Sequence, residues 1–126
     1  MVAVDTNILV RWLVRDDRLL ADKADAIIYK AKASSLLLDR LILAEFSYVL
    51  KSVYKMTKPE IVLNLRILFS TSCFSIIDRV LVEQMVENYA NETPLSIKDA
   101  WLLTLKQNGK VAGVASFDDS LQQRLQ

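Results

Sequence analysis

The sequence predicts an α/β fold in which a parallel sheet is covered by helices on both faces. Short apolar runs alternate with longer segments of helical periodicity, the pattern of strands joined by crossover helices. The chain has 126 residues and is 52% hydrophobic, which suits one domain with a real core and argues against disorder. No repeat, low-complexity tract or linker divides it, so a single domain over residues 1–126 is expected.

Each element follows from local signals. Val2–Val4 reads as a short buried strand. Thr6 or Asn7 caps a helix from Ile8 to about Val14. A second helix spans Asp17–Lys32, where Leu20, Ala24, Ile27 and Ala31 recur at helical spacing. Leu36–Leu38 is too short for a helix and reads as a second strand. From Leu41 to about Tyr54 the chain is apolar nearly all round a helix, which implies burial over much of its surface. Thr57-Lys58-Pro59-Glu60 is a helix start, with a Thr cap, a Pro in the first turn and Glu three residues after the cap. That helix runs to about Phe69. Cys73–Ile77 is a third strand, and Asp78 caps a helix to about Tyr89. After a loop at Asn91–Pro94, Ser96 starts a helix that Gly109 ends. Val111–Ser116 is a fourth strand, and Asp118–Leu125 is a last helix. Ligands of such sheets bind beyond the carboxyl ends of the strands, where Asp5 and Asp118 both lie.

Composition excludes several chemistries. There is no histidine, so Ser-His-Asp catalysis, Cys-His catalysis and histidine metal sites are ruled out. Gly109 and Gly113 are the only glycines, so there is no phosphate loop and no dinucleotide fingerprint. The single cysteine, Cys73, supports neither a disulfide framework nor a cysteine zinc site. No apolar run reaches the ~18 residues of a membrane span. Asp5 interrupts what would be the charged and apolar regions of a signal peptide. A soluble cytoplasmic protein is expected. The net charge of +1 means that any polyanion would be bound by a local patch.

Carboxylates stand out instead. Asp5 closes the apolar run Met1–Val4, Glu45 is the only charged residue within Leu41–Leu50, Asp99 lies in Ile97–Trp101, and Asp118 follows Val111–Phe117. An acid beside an apolar core is costly unless something pairs with it. Four of them suggest one acidic cleft, whose mutual repulsion a hard divalent cation with oxygen ligands would relieve. Each acid also has a purely structural reading. Asp5 caps the first helix, although Thr6 and Asn7 are equally good caps. Glu45 forms an ion pair with Arg40 or Lys51. Ser96 and Asp99 form a capping box, as do Ser116 and Asp119, and an acid at a helix start compensates the dipole. No single acid decides between the readings; their order and surroundings do.

Asp5-Thr6-Asn7, Ala44-Glu45, Lys98-Asp99-Ala100 and Ser116-Phe117-Asp118, in that order and context, resemble the PIN-domain nucleases over essentially the whole chain. The size and the opening strand–Asp-Thr-Asn–helix most resemble the VapC-type toxins of toxin–antitoxin pairs. The resemblance implies a three-layer α/β/α sandwich with a central parallel sheet of four strands, or five if the family's strand after the final helix is present. It implies a ribonuclease in which Asp5, Glu45, Asp99 and Asp118 bind Mg²⁺ or Mn²⁺, with Thr6, Asn7 and Ser116 in support. Asp119, next to Asp118, is the competing ligand. It also implies a homodimer and an antitoxin whose amphipathic helix lies in an apolar groove, with Leu20, Ile27 and Tyr48 as candidate lining residues.

Phosphodiester hydrolysis needs an activated water and neutralised phosphate charge, both of which one or two divalent ions supply. Cations that would hold an RNA backbone are Arg11, Arg15 and Arg18, which recur at helical spacing, with Arg40 near Glu45 and Lys98 beside Asp99. For each of them the competing role is a solvated charged surface. Trp12 and Trp101 would stack on bases or pack in the core. A haloacid-dehalogenase-type phosphotransferase needs a second Asp two residues after the first, where this chain has Asn7. A housekeeping RNA-processing nuclease and a non-catalytic binding module of the same fold also compete with the toxin. A degenerate binding module would be expected to have lost one or more acids, and this chain has all four.

Overall fold

A computed structural model describes residues 1–126. They form two compact units, Met1–Ile77 and Asp78–Gln126. The first is α/β: β1 (Val2–Ala3), α1 (Thr6–Leu13), α2 (Arg18–Lys30), β2 (Leu36–Leu38), α3 (Arg40–Ser52), α4 (Lys58–Ser70) and β3 (Phe74–Ile76). The second is helical: α5 (Arg79–Asn91), α6 (Ile97–Gln107) and α7 (Asp119–Leu125). No helix is long and apolar enough to cross a membrane.

The sheet is parallel, as expected, in the order β1-β2-β3. Val2 pairs with Leu36 and Leu36 with Phe74, so register is set where the apolar runs meet. β2 and β3 each alternate buried, half-buried, buried. The first strand departs from expectation. It is two residues long, Val2 is 63% exposed, and only Val4, beyond the strand, is buried. β1 is an edge of this sheet and packs like one.

The core of the first unit comes from helix faces. Leu9 and Val10 of α1, Leu43, Phe46 and Leu50 of α3, and Ile61, Leu65 and Leu68 of α4 are buried at i, i+3, i+4 and i+7 spacings. Trp12 sets its ring edge-to-face on Phe74, with centroids 5.9 Å apart, so packing accounts for it. Cys73 is buried, which pushes its thiol pKa up and leaves it unreactive. The start of α4 is as read from the sequence. Thr57 accepts the Glu60 amide, and Glu60 accepts the Thr57 amide at 3.0 Å.

Two expectations are corrected in the second unit. Asp78 precedes α5 in a left-handed conformation (φ 55°) and makes no side-chain cap bond. Capping residues need an extended backbone to bring the side chain over the first amides. The fourth strand, Val111–Ser116, does not form; the sheet has three strands, not four or five. The segment is tied to its own unit instead. The Gln122 amide donates to the carbonyls of Val114 (3.3 Å) and Ser116 (2.9 Å), acceptors that a ladder would have used. Val114 packs with Leu102 and Leu125 on the cluster Leu95, Leu103 and Leu121. The pair α5–α6 is closed by buried Val82, Val86 and Leu103 and by an amide network: Asn88 to Thr104 and Gln107, Gln84 to Gln107, and Asn108 to Gln84.

Candidate functional site

Each unit contributes two of the four acids. Asp5 and Glu45 sit on α1 and α3, which pack together in the first unit. Asp99 and Asp118 sit on α6 and α7, which pack together in the second. Within neither unit do three or more Cys, Asp or Glu side chains gather in a group that could hold a metal ion.

Asp5 follows β1 and is the N-cap of α1, with extended backbone and one carboxylate oxygen 2.8 Å from the Thr6 amide. The helix therefore starts one residue earlier than a Thr6 cap would give and two earlier than an Asn7 cap would. Thr6 becomes its first residue and Asn7 is exposed. Capping uses one oxygen of Asp5, and the other makes no bond.

Glu45 is exposed on α3, between exposed Leu41 and Tyr48 on the same helical face. Neither ion pair proposed for it, with Arg40 or Lys51, forms, and no hydrogen bond or ion pair holds the carboxylate. The expectation of burial over much of this helix is thereby narrowed. One stripe (Leu43, Phe46, Ser47, Leu50) is buried, while Leu41 is 72% and Tyr48 68% exposed.

Asp99 is in the first turn of α6. Ser96 accepts its amide at 3.1 Å, but the reciprocal bond of a capping box is absent. The Asp99 side chain is 13% exposed and has one polar contact, Lys98 Nζ at 3.8 Å. Asp118, not Asp119, caps α7. It accepts the Leu121 amide at 2.9 Å, while Ser116 Oγ accepts the amide of Asp118 itself at 3.0 Å. Ser116 thus fixes the turn that presents Asp118, and Asp119 is exposed in the first turn.

The cations divide. Arg11, Arg15 and Arg18 do not share a helix face, because α1 ends at Leu13 and Arg15 is left-handed (φ 61°) in the turn before α2. Arg15 grips Asp25 with two bonds of 2.8 Å and also reaches the Trp12 carbonyl. That grip raises the guanidinium pKa and lowers the Asp25 carboxyl pKa. Arg11 pairs with Asp16 at 3.1 Å, and Asp16 also accepts the Tyr54 hydroxyl at 2.9 Å. Burial and the bond to Asp16 raise the Tyr54 pKa. Arg18 carries no such partner. Arg40 is engaged, and Lys98 is held only by the long contact to Asp99.

The state of the Thr6 side chain is not foreseen from the sequence. Its hydroxyl is buried and has no hydrogen-bond partner. A buried, unsatisfied hydroxyl costs about 1–3 kcal/mol. The signal is present in the spacing: Thr6 stands three and four residues before Leu9 and Val10, on the helix face that packs inward.

The four acids offer only carboxylate oxygen and no soft ligand, the donor chemistry that suits Mg²⁺ or Mn²⁺. Asp5 and Asp118 each keep one oxygen uncommitted, and Glu45 keeps both. The family model described as PIN domain matches residues 2–125 of this chain. No curated protein and no solved structure matches it.

Proposed function

The chain belongs to the PIN-domain family, a family of divalent-metal-dependent nucleases, and from that membership we propose that it is a Mg²⁺- or Mn²⁺-dependent ribonuclease, the toxin of a VapBC-type pair. One observation carries the proposal: none of the four acids is used up by the fold. Two cap helices with a single oxygen, one has only a 3.8 Å contact to a lysine, and one has no partner.

In this reading Asp5, Glu45, Asp99 and Asp118 hold the ion or ions within one domain, with Asn7 and Ser116 supporting. A bound ion supplies Lewis acidity and a lowered water pKa. The residues supply the rest. Ser116 orients Asp118 through its amide. Lys98, exposed beside Asp99, and Arg11, loosely held by exposed Asp16, meet the RNA phosphates. Arg40 lies near Glu45 in sequence. Arg15 is the weakest of these candidates, since Asp25 already occupies its fork.

Partners follow from the same reading. An antitoxin helix and a second copy of the chain would cover apolar surface of the first unit, in a cytoplasmic protein. Of the three candidate lining residues, Tyr48 and Ile27 are exposed, as is Leu41 beside Tyr48, whereas Leu20 is half-buried in its own unit. The apolar residues exposed around Glu45 favour the toxin over a housekeeping processing nuclease.

The experiment is cleavage of single-stranded RNA with Mg²⁺ or Mn²⁺, with and without chelator, by the wild type and Asp5→Asn. Asn caps helices as well as Asp does, so the variant keeps its fold. Cleavage should vanish with chelator and fall by at least 100-fold in Asp5→Asn, a loss of about 2.7 kcal/mol or more in transition-state stabilisation. Cleavage unchanged by either would overturn the proposal.

A further inference from the structure

Phe117 stands apart from the other large apolar side chains. It is 107% exposed, so neither face of its ring is covered, whereas Phe46 and Phe74 are buried. The backbone on either side of it is nonetheless fixed. The Gln122 side-chain amide donates to the Ser116 carbonyl at 2.9 Å. Ser116 Oγ accepts the Asp118 amide at 3.0 Å, and the Asp118 carboxylate accepts the Leu121 amide at 2.9 Å. The turn thus holds an apolar ring out in water. A ring held in place beforehand loses little freedom when it meets a flat partner, which favours binding. The two rings that the sequence offers for stacking are placed differently: Trp12 packs on Phe74, and Trp101 is half-buried.

We propose that Phe117 is a stacking platform for one unpaired base of the RNA substrate. The inference rests on the nuclease reading above. The ring is next in sequence to Asp118, and one turn presents both. Lys98 is carried on the same apolar core: Leu95, just before α6, and Leu121, in α7, share one buried cluster. Its side chain is 79% exposed, a cation free to meet a phosphate while the ring meets a base. Every base has a π-face, so stacking of this kind tolerates any sequence. The surroundings of the ring select a base over a protein. Its neighbours Ala115, Ser116, Asp118, Asp119 and Ser120 are small or polar. A protein partner needs a contiguous apolar patch, such as the one around Leu41 and Tyr48. One ring among polar groups matches one base.

The test is binding of a labelled single-stranded oligoadenylate, and of the same backbone without bases, followed by fluorescence anisotropy with Mg²⁺ present. Asp5→Asn serves as the parent, so that the RNA stays uncut, and Phe117→Ala, Phe117→Leu and Phe117→Trp are made in it. The parent should bind the oligoadenylate more tightly than the abasic strand. Phe117→Ala should weaken oligoadenylate binding at least tenfold, about 1.4 kcal/mol, within the range of one base–aromatic stack. It should leave binding of the abasic strand unchanged. Phe117→Trp should bind as the parent does or more tightly. Phe117→Leu, apolar but without a π-face, should fall with Phe117→Ala. All four proteins should melt together, since the ring packs on nothing. Equal oligoadenylate binding by the parent and Phe117→Ala overturns the proposal and leaves the nuclease reading standing. So does full binding by Phe117→Leu, or a lowered melting temperature in Phe117→Ala, which would assign the ring to packing. A parent that binds neither strand, with a wild type that cleaves no RNA, removes the nuclease reading and this proposal with it.

Discussion

Arg15 shows how the fold can consume a residue that local sequence offers to a ligand. In the sequence it is one of three arginines beside the first acidic motif. In the structure it occupies a left-handed turn and binds Asp25 through both arms of its guanidinium. Sequence spacing places the pair ten residues apart, on either side of a turn, and only the turn brings them together. The same locality explains the acids. That Asp5 and Asp118 stand at strand- or loop-to-helix junctions is legible, because capping involves neighbours within three residues. That Asp5 caps rather than Thr6 is not, since all three residues of Asp5-Thr6-Asn7 can cap. The arginine grip holds Asp25 below the ordinary carboxyl range. A carboxyl with a depressed folded pKa contributes stability that is present above its unfolded pKa and lost as pH falls through its folded one. Asp25→Asn should therefore lower the melting temperature near neutral pH and make it less sensitive to acidification below about pH 4. The measurement is melting temperature against pH for both proteins. Parallel profiles would show that solvent screens the pair completely, as exposed ion pairs often are.

Among the elements, those defined by their own residues are legible and those defined by a distant partner are not. The capping box at Thr57–Glu60 fixes the start of α4 from four consecutive residues. Seven helices and the three strands β1, β2 and β3 are where apolar spacing puts them, to within a few residues. Val111–Ser116 has a strand's composition, but a strand needs a ladder, and Gln122 together with the Leu95–Leu103–Leu121 cluster holds the segment elsewhere. α3 shows the other limit. A helix apolar all round reads as buried, yet which stripe is covered depends on the neighbours, α1 and α4. The stripe left open is Leu41, Glu45 and Tyr48, an acid flanked by large apolar groups. If a partner covers it, as the toxin reading requires, then Tyr48→Glu should leave the monomer folded and abolish association. A charge on an exposed position costs the fold little but must be desolvated in an interface. Light scattering after size exclusion, on the protein alone and with a co-expressed antitoxin, reads this directly. A wild type that is monomeric under both conditions removes the partner, and with it the toxin assignment, while leaving the nuclease one standing.

At the scale of the whole molecule, the question is whether the two acids of the first unit and the two of the second serve one ion site. The family match covers residues 2–125, all four acids among them. Coupling through the metal decides it. Carboxylates that converge repel one another without an ion, and an ion that binds only the folded protein stabilises it, by about 2.7 kcal/mol at a hundredfold excess over Kd. For a chain of this size that is a rise of several degrees in melting temperature. Asp5→Asn and Asp118→Asn both preserve their helix caps, so each removes a ligand charge and little else. With one site, each single variant should melt higher than the wild type without metal, because repulsion is relieved, and each should lose most of the Mn²⁺-induced rise. The double variant should then lose no more than either single one. This is the strong non-additivity of groups that act on a common ligand, whereas residues in separate sites contribute losses that sum. Melting of the four proteins of this cycle, with and without millimolar Mn²⁺, tests the shared site. Losses that add, with no gain in metal-free stability, would assign Asp5 and Asp118 to separate places and reduce Asp118 to the cap of α7.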